Sequence, residues 1–81
     1  MEMNDGDIIA TTNRNIILGI VETDTSRNAV ARKSGIPLTT FNRKLDGHKD
    51  FTLRELGQIA NALDKQLGDI LPLEIITRDA A

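Results

Sequence analysis

Between positions 27 and 49 the chain carries six basic side chains, Arg27, Arg32, Lys33, Arg43, Lys44 and Lys49, opposed only by Asp46. That segment holds a charge of +5, although the whole molecule carries −2 and its flanks are acidic. Guanidinium and ammonium groups at this density can gather phosphates; a solvated charged face is the plainer alternative. Among them lie Leu38, Thr39, Thr40 and Asn42, side chains able to donate, accept or meet a methyl group at the edge of a base. Residue types that make and break bonds are scarce. Without cysteine there is no thiol nucleophile, disulfide or thiolate metal site. A single histidine, His48, can neither hold a metal alone nor fill several places in a catalytic set. Ser26 and Ser34 read as a helix cap and a turn residue. These counts argue against an enzyme, and no cofactor, metal ion or small-molecule substrate is expected.

The elements that carry these side chains come from a short chain of 81 residues. Hydrophobic residues make up 40% and charged residues 27%, which suits a globular protein with one modest core. We read one domain over 1–72 and a tail over 73–81. The tail opens with the apolar, β-branched stretch Leu73-Glu74-Ile75-Ile76-Thr77, suited to a dimer-interface arm, a return onto the first helix or the start of a linker. The longest apolar run, Ile16 to Val21, falls far below the roughly 20 residues that span a bilayer, so no membrane partner is expected. The acidic start, Met1-Glu2-Met3-Asn4-Asp5, is unlike a secretory signal, and the lack of cysteine favours an intracellular setting.

Apolar residues from Ile8 to Val21 predict a first helix over 5–21, capped by Asn4 or Asp5. Thr11-Thr12-Asn13 and Gly19 weaken that reading, and Ile16–Val21 alone could be a strand. Thr25 and Ser26 can cap a short helix that Gly35 ends, since glycine accepts the left-handed backbone of a helix C-terminus. Ile36-Pro37 starts the next helix, Leu38 to Leu45, with proline expected in its first turn. Asp46-Gly47 stops it, and His48-Lys49-Asp50 forms a polar loop. Thr52-Leu53-Arg54-Glu55 has the form of a capping box. Behind it Leu53, Leu56, Ile59, Ala60 and Leu63 recur at helical spacing. Leu67 to Leu71 makes a last short turn of helix before Pro72. Short helices without alternating strands predict a compact all-α domain.

Two of these helices are joined by a turn read as Ser34-Gly35-Ile36. Ala31 is small where steeply crossed helices must approach, Gly35 supplies the bend, and Val30, Ile36 and Phe41 can meet in the angle. That is the plan of a helix-turn-helix, although a corner inside any helical bundle uses the same residues. The segment from Arg27 to Gly47 resembles the helix-turn-helix of the lambda-repressor and Cro-like (XRE-type) DNA-binding proteins. The likeness continues through Thr52-Leu53-Arg54-Glu55-Leu56 and Ile59-Ala60-Asn61-Ala62-Leu63 to Asp69-Ile70-Leu71. It implies a five-helix lambda-repressor-like domain with its helix-turn-helix at about 26–46. By the same resemblance the chain would be a sequence-specific transcriptional regulator of phage or bacterial type, acting in a bacterial cytoplasm or nucleoid. Its partners would be a double-stranded operator and a second copy, at least on DNA. Three departures stand out: Arg27 where the family often has glutamine, Lys44 where it has a core-facing apolar residue, and Asp64-Lys65 where it has glycine and an apolar residue.

Periodicity puts Thr39, Thr40, Arg43 and Lys44 on the outer side of the second motif helix. The resemblance instead turns Leu38, Thr39, Asn42 and Arg43 toward base edges, with Phe41 and Lys44 toward the core. Arg43 can match guanine O6 and N7, and Asn42 can pair with adenine N6 and N7 or hold a phosphate. Thr39 and Thr40 can meet a base, a phosphate or a thymine methyl. Arg27, Asn28, His48 and Lys49 are candidates for phosphates, joined by Lys44 if its stem lies along the core edge and its ammonium reaches out. Two rival readings use the same elements: an antitoxin of a toxin–antitoxin pair, and a helical protein-interaction module that leaves the basic segment without a partner.

Overall fold

The computed structural model describes residues 4–72, and within them every regular element is a helix. In order they are α1 (Asp5–Glu22), α2 (Arg27–Ser34), α3 (Leu38–Leu45), α4 (Leu53–Ala62) and α5 (Leu67–Ile70). The expected all-α, five-helix architecture is the one observed. The tail over 73–81, with every role suggested for it, lies outside the described residues.

Three helix starts carry their own caps. Asn4 Oδ1 accepts the Asp7 N–H at 2.8 Å, and Ser26 Oγ accepts the Ala29 N–H at 3.1 Å. At α4 the capping box is complete: the Glu55 N–H donates to Thr52 Oγ1 (3.1 Å), and the Thr52 N–H donates to Glu55 Oε1 (2.8 Å). Such caps contribute about 1 kcal/mol each. Gly35, at φ 74°, ends α2 in the left-handed region, and the Ile36 N–H returns to the Ala31 carbonyl at 3.0 Å. The bend runs through Gly35, Ile36 and Pro37, one residue later than read from the sequence. Ser34 stays helical because its buried hydroxyl donates to the Val30 carbonyl at 2.6 Å. Pro37 takes the cap position rather than the first turn, with its carbonyl accepting the Phe41 N–H at 2.8 Å.

The run Ile16–Val21 is helical and belongs to α1. Its weak helix formers make ties that justify their place. Thr12 Oγ1 donates to the Ile8 carbonyl (2.7 Å), Asn13 Nδ2 to the Lys44 carbonyl (3.3 Å) and Asn15 Nδ2 to the Ile70 carbonyl (2.7 Å). Two of these bonds fasten α1 to the ends of α3 and α5. At Gly19 an added Cβ would lie 3.0 Å from Leu63 Cδ1 and 3.4 Å from Lys65 Cε. Glycine therefore admits the chain that follows α4, and Lys65 goes on to reach Glu22 at 3.2 Å.

The core is a single cluster. Phe41, Ile16, Ile59 and Ile70 are completely enclosed, and Val30, Ile36 and Phe41, expected to meet in the angle of α2 and α3, are all buried in this cluster together with the small Ala31. The α2 helix packs against α3 and α4, while α5 closes against α1 and α4. Phe51 adds a tilted ring 5.8 Å from that of Phe41. Leu53 corrects the expected apolar face: as the first residue of α4 it is 66% exposed, and the buried stripe begins at Leu56. Asp64, where the resemblance has glycine, keeps the left-handed backbone at φ 58°, a conformation aspartate tolerates better than most residues.

Candidate nucleic-acid interface

The α3 helix hangs from the core by Phe41 and Leu45, both buried. With a step of about 100° per residue, the direction opposite those two belongs to Thr39 and Arg43. Both are exposed, and among the described residues Arg43 enters no ion pair. These are the two residues on which periodicity and resemblance agreed. On either side of this ridge the helix has a flank of different character.

One flank, with Leu38 and Asn42, faces α2. Leu38 is 40% exposed, a large apolar side chain at the rim. Asn42 is half-buried, and its Oδ1 accepts from Arg27 Nη1 at 3.4 Å. The same Arg27 Nη1 lies 3.6 Å from Asp46 Oδ1, with the two side chains 42% and 54% exposed. The first residue of α2 thus leans across the turn onto the middle and end of α3. Asn28 beside it is exposed in the first turn of α2.

The other flank, with Thr40 and Lys44, faces α4. Here the structure corrects two expectations about Lys44. It points inward, against the outward direction taken from periodicity. Its ammonium is also not held out toward a phosphate, because Nζ donates to both Glu55 oxygens, at 2.7 and 2.9 Å. The two side chains are 12% and 19% exposed. Burial alone would raise the Glu55 carboxyl, but the Lys44 ammonium, the Thr52 N–H and the Thr52 hydroxyl together leave it below the ordinary glutamate value. The capping box of α4 is therefore joined to α3 by a charge-assisted pair. Sequence reasoning assigned Glu55 to its cap and missed the pair with Lys44; a lysine replacing a core-facing residue was the available signal, since it needs a counter-charge.

Thr40 is half-buried and, with Arg43, Lys44 and Lys49, lines an open cleft of about 170 Å³. With Lys44 matched by Glu55, the cations on that cleft that enter no ion pair among the described residues are Arg43 and Lys49. The His48 N–H donates to the Arg43 carbonyl at 2.9 Å, folding the loop against the end of α3. His48 and Lys49 are both exposed on that loop. Among the described residues no cluster of three histidine, aspartate or glutamate side chains is arranged to hold a metal ion. No described helix is long and apolar enough to cross a membrane.

The arrangement brings Thr39, Arg43, Asn42 and Leu38 to one outward region, with Asn28, Arg27, His48 and Lys49 around its edges. Thr40 turns toward the cleft, and Lys44 is withdrawn. A family model described as Cro/C1-type HTH DNA-binding domain matches residues 20–74. No curated protein and no solved structure matches the chain significantly.

Proposed function

Because the chain belongs to the Cro/C1-type helix-turn-helix DNA-binding domains, we propose that it is a sequence-specific regulator of transcription that binds a double-stranded operator with α3 in the major groove. In this reading Arg43 and Thr39 meet base edges first, with Asn42 and Leu38 beside them and Thr40 at the rim. Arg27, Asn28, His48 and Lys49 grip phosphates on either side and set the register. Lys44 supports the helix from within through Glu55. Two copies bind a near-palindromic operator in a bacterial cytoplasm or nucleoid, their recognition helices about 34 Å apart. Occupying the operator blocks or redirects transcription, as a Cro-type or phage-repressor protein does.

The observation that carries the reading is the uncommitted arginine on the ridge. Arg43 projects from the side of α3 opposite the core, among exposed polar side chains, while the nearby lysine of the same helix is neutralised. An internal corner of a helical bundle has no use for such a ridge. The test is selection of sites from a random duplex library, with labelled DNA titrated at two salt concentrations. A near-palindromic winner with steep salt dependence is expected. Binding without preference, even after fusion to a dimerising partner, overturns the proposal.

A further inference from the structure

The amide of Asn42 has two ways to face the groove, and its neighbour chooses between them. An arginine side chain carries five N–H donors and no acceptor. Arg27 Nη1, 3.4 Å away, can therefore bond only the oxygen of that amide, and among the described residues Nδ2 donates to no protein group. The same Nη1 also lies 3.6 Å from Asp46 Oδ1, which helps to hold Arg27 in place. Asn42 follows Leu38 and Thr39 by one helical turn and directly precedes Arg43, so it borders the ridge that the proposed function places in the groove.

We propose that Arg27 is a positioning residue for base readout: by engaging Asn42 Oδ1, it makes Asn42 a donor-only reader that selects guanine over adenine at its base pair. Adenine shows an acceptor, N7, and a donor, N6; the usual asparagine pairing uses both and needs the amide oxygen in the groove. With the oxygen turned to Arg27 and the NH2 group toward the base, the adenine N6–H would meet a second donor instead of an acceptor and lose its hydrogen bond on desolvation. Guanine shows two acceptors, N7 and O6, and both suit an outward NH2 group. The inference rests on the operator-binding reading of α3 and adds to it the identity of one base pair per half-site.

Sites are selected from a random duplex library with the full chain as wild type, Asn42→Ala, Arg27→Met and Arg27→Lys, after circular dichroism shows the helices intact. In the wild type one position per half-site carries guanine, and Asn42→Ala makes that position degenerate. Arg27→Met frees the amide to turn, so the preference there moves to adenine. Arg27→Lys keeps guanine, because an ammonium also only donates. Titration of the selected duplex against its guanine-to-adenine variant reads about a tenfold preference in the wild type, reduced in Asp46→Asn, which loosens Arg27 without altering it. Adenine at the Asn42-dependent position of the wild type overturns the proposal, as does an unchanged preference in Arg27→Met. A wild type that selects a site with no Asn42-dependent position overturns it too, and leaves operator binding standing. A wild type that selects no site, even after fusion to a dimerising partner, takes both down.

Discussion

The two flanks of α3 use the same chemical pairing, a cation with a carboxylate, to different ends. Facing α4, Lys44 and Glu55 meet at 2.7 Å with little exposure, and the carboxylate is further held by the Thr52 N–H. Facing α2, Arg27 and Asp46 stand 3.6 Å apart and about half exposed. In the drier setting the attraction is less screened, and breaking one partner leaves a charge short of both water and a counter-ion. In the wetter setting water replaces either partner cheaply, and such pairs are worth about 0–1 kcal/mol. One flank is therefore an anchor that keeps α3 at a fixed distance from α4. The other ties Arg27 to the end of α3 with little effect on stability. Burial, rather than residue type, separates the two.

The largest effect should come from breaking the anchor. Glu55→Ala removes the counter-charge of Lys44 and half of the capping box, so urea unfolding should show a loss of about 2–3 kcal/mol, below the range for fully buried pairs. Adding Lys44→Met should return a good part of it, because an apolar side chain of similar length suits the same site. If the double variant is no more stable than the single one, Lys44 and Glu55 are not coupled and the contrast between the flanks fails. On the ridge between the flanks, Arg43→Ala should relax base preference at one position per half-site by about 1–3 kcal/mol while leaving stability nearly unchanged. An unaltered preference profile would remove Arg43 from base reading.

A smaller effect sharpens the comparison through pH. Glu55 has a lowered folded-state pKa, so its contribution is fully present above the ordinary glutamate range and is lost as pH falls through the lowered value. Glu55→Gln keeps the cap but not the charge. Its stability should trail the wild type by about 1–2 kcal/mol at neutral pH, with the two curves converging in acid below that range. Parallel curves across the whole titration would contradict the assignment. The smallest effect belongs to the exposed flank: Asp46→Asn should shift the unfolding free energy by no more than about 0.5 kcal/mol. A loss comparable to that of Glu55→Ala would mean that the Arg27 side is an anchor as well.

Much of this molecule is legible along the chain because its signals are local. The caps at Asn4, Ser26 and Thr52 are read from side chains three residues from the N–H groups they satisfy. Gly35 ends α2 through its own backbone freedom. Apolar spacing finds Leu56, Ile59 and Ala60, and fails at Leu53 because a first-turn residue can project past the core that its spacing points to. Gly19 and Asn13 read as weaknesses in a helix, since what they serve lies far along the chain: Leu63 beside the glycine, and the Lys44 carbonyl before the asparagine.

The candidate interface divides in the same way. Helical period alone put Thr39, Thr40, Arg43 and Lys44 outward, and agreement with the resemblance narrowed these to Thr39 and Arg43, which lie opposite Phe41 and Leu45 by the 100° step within one short helix. The fates of Lys44, Asn42 and Arg27 were not legible in this way, because each is decided by a partner on another helix. Composition and spacing along the chain determined that this protein is all-helical, that its positive charge gathers on one segment, and that an arginine and a threonine ride the outer edge of α3. Only tertiary packing decided which cations stay available. It brought Glu55 within 2.7 Å of Lys44, and Arg27 within reach of Asn42 and Asp46. An ion pair forms wherever the fold brings opposite charges together, and no period along the chain encodes that distance.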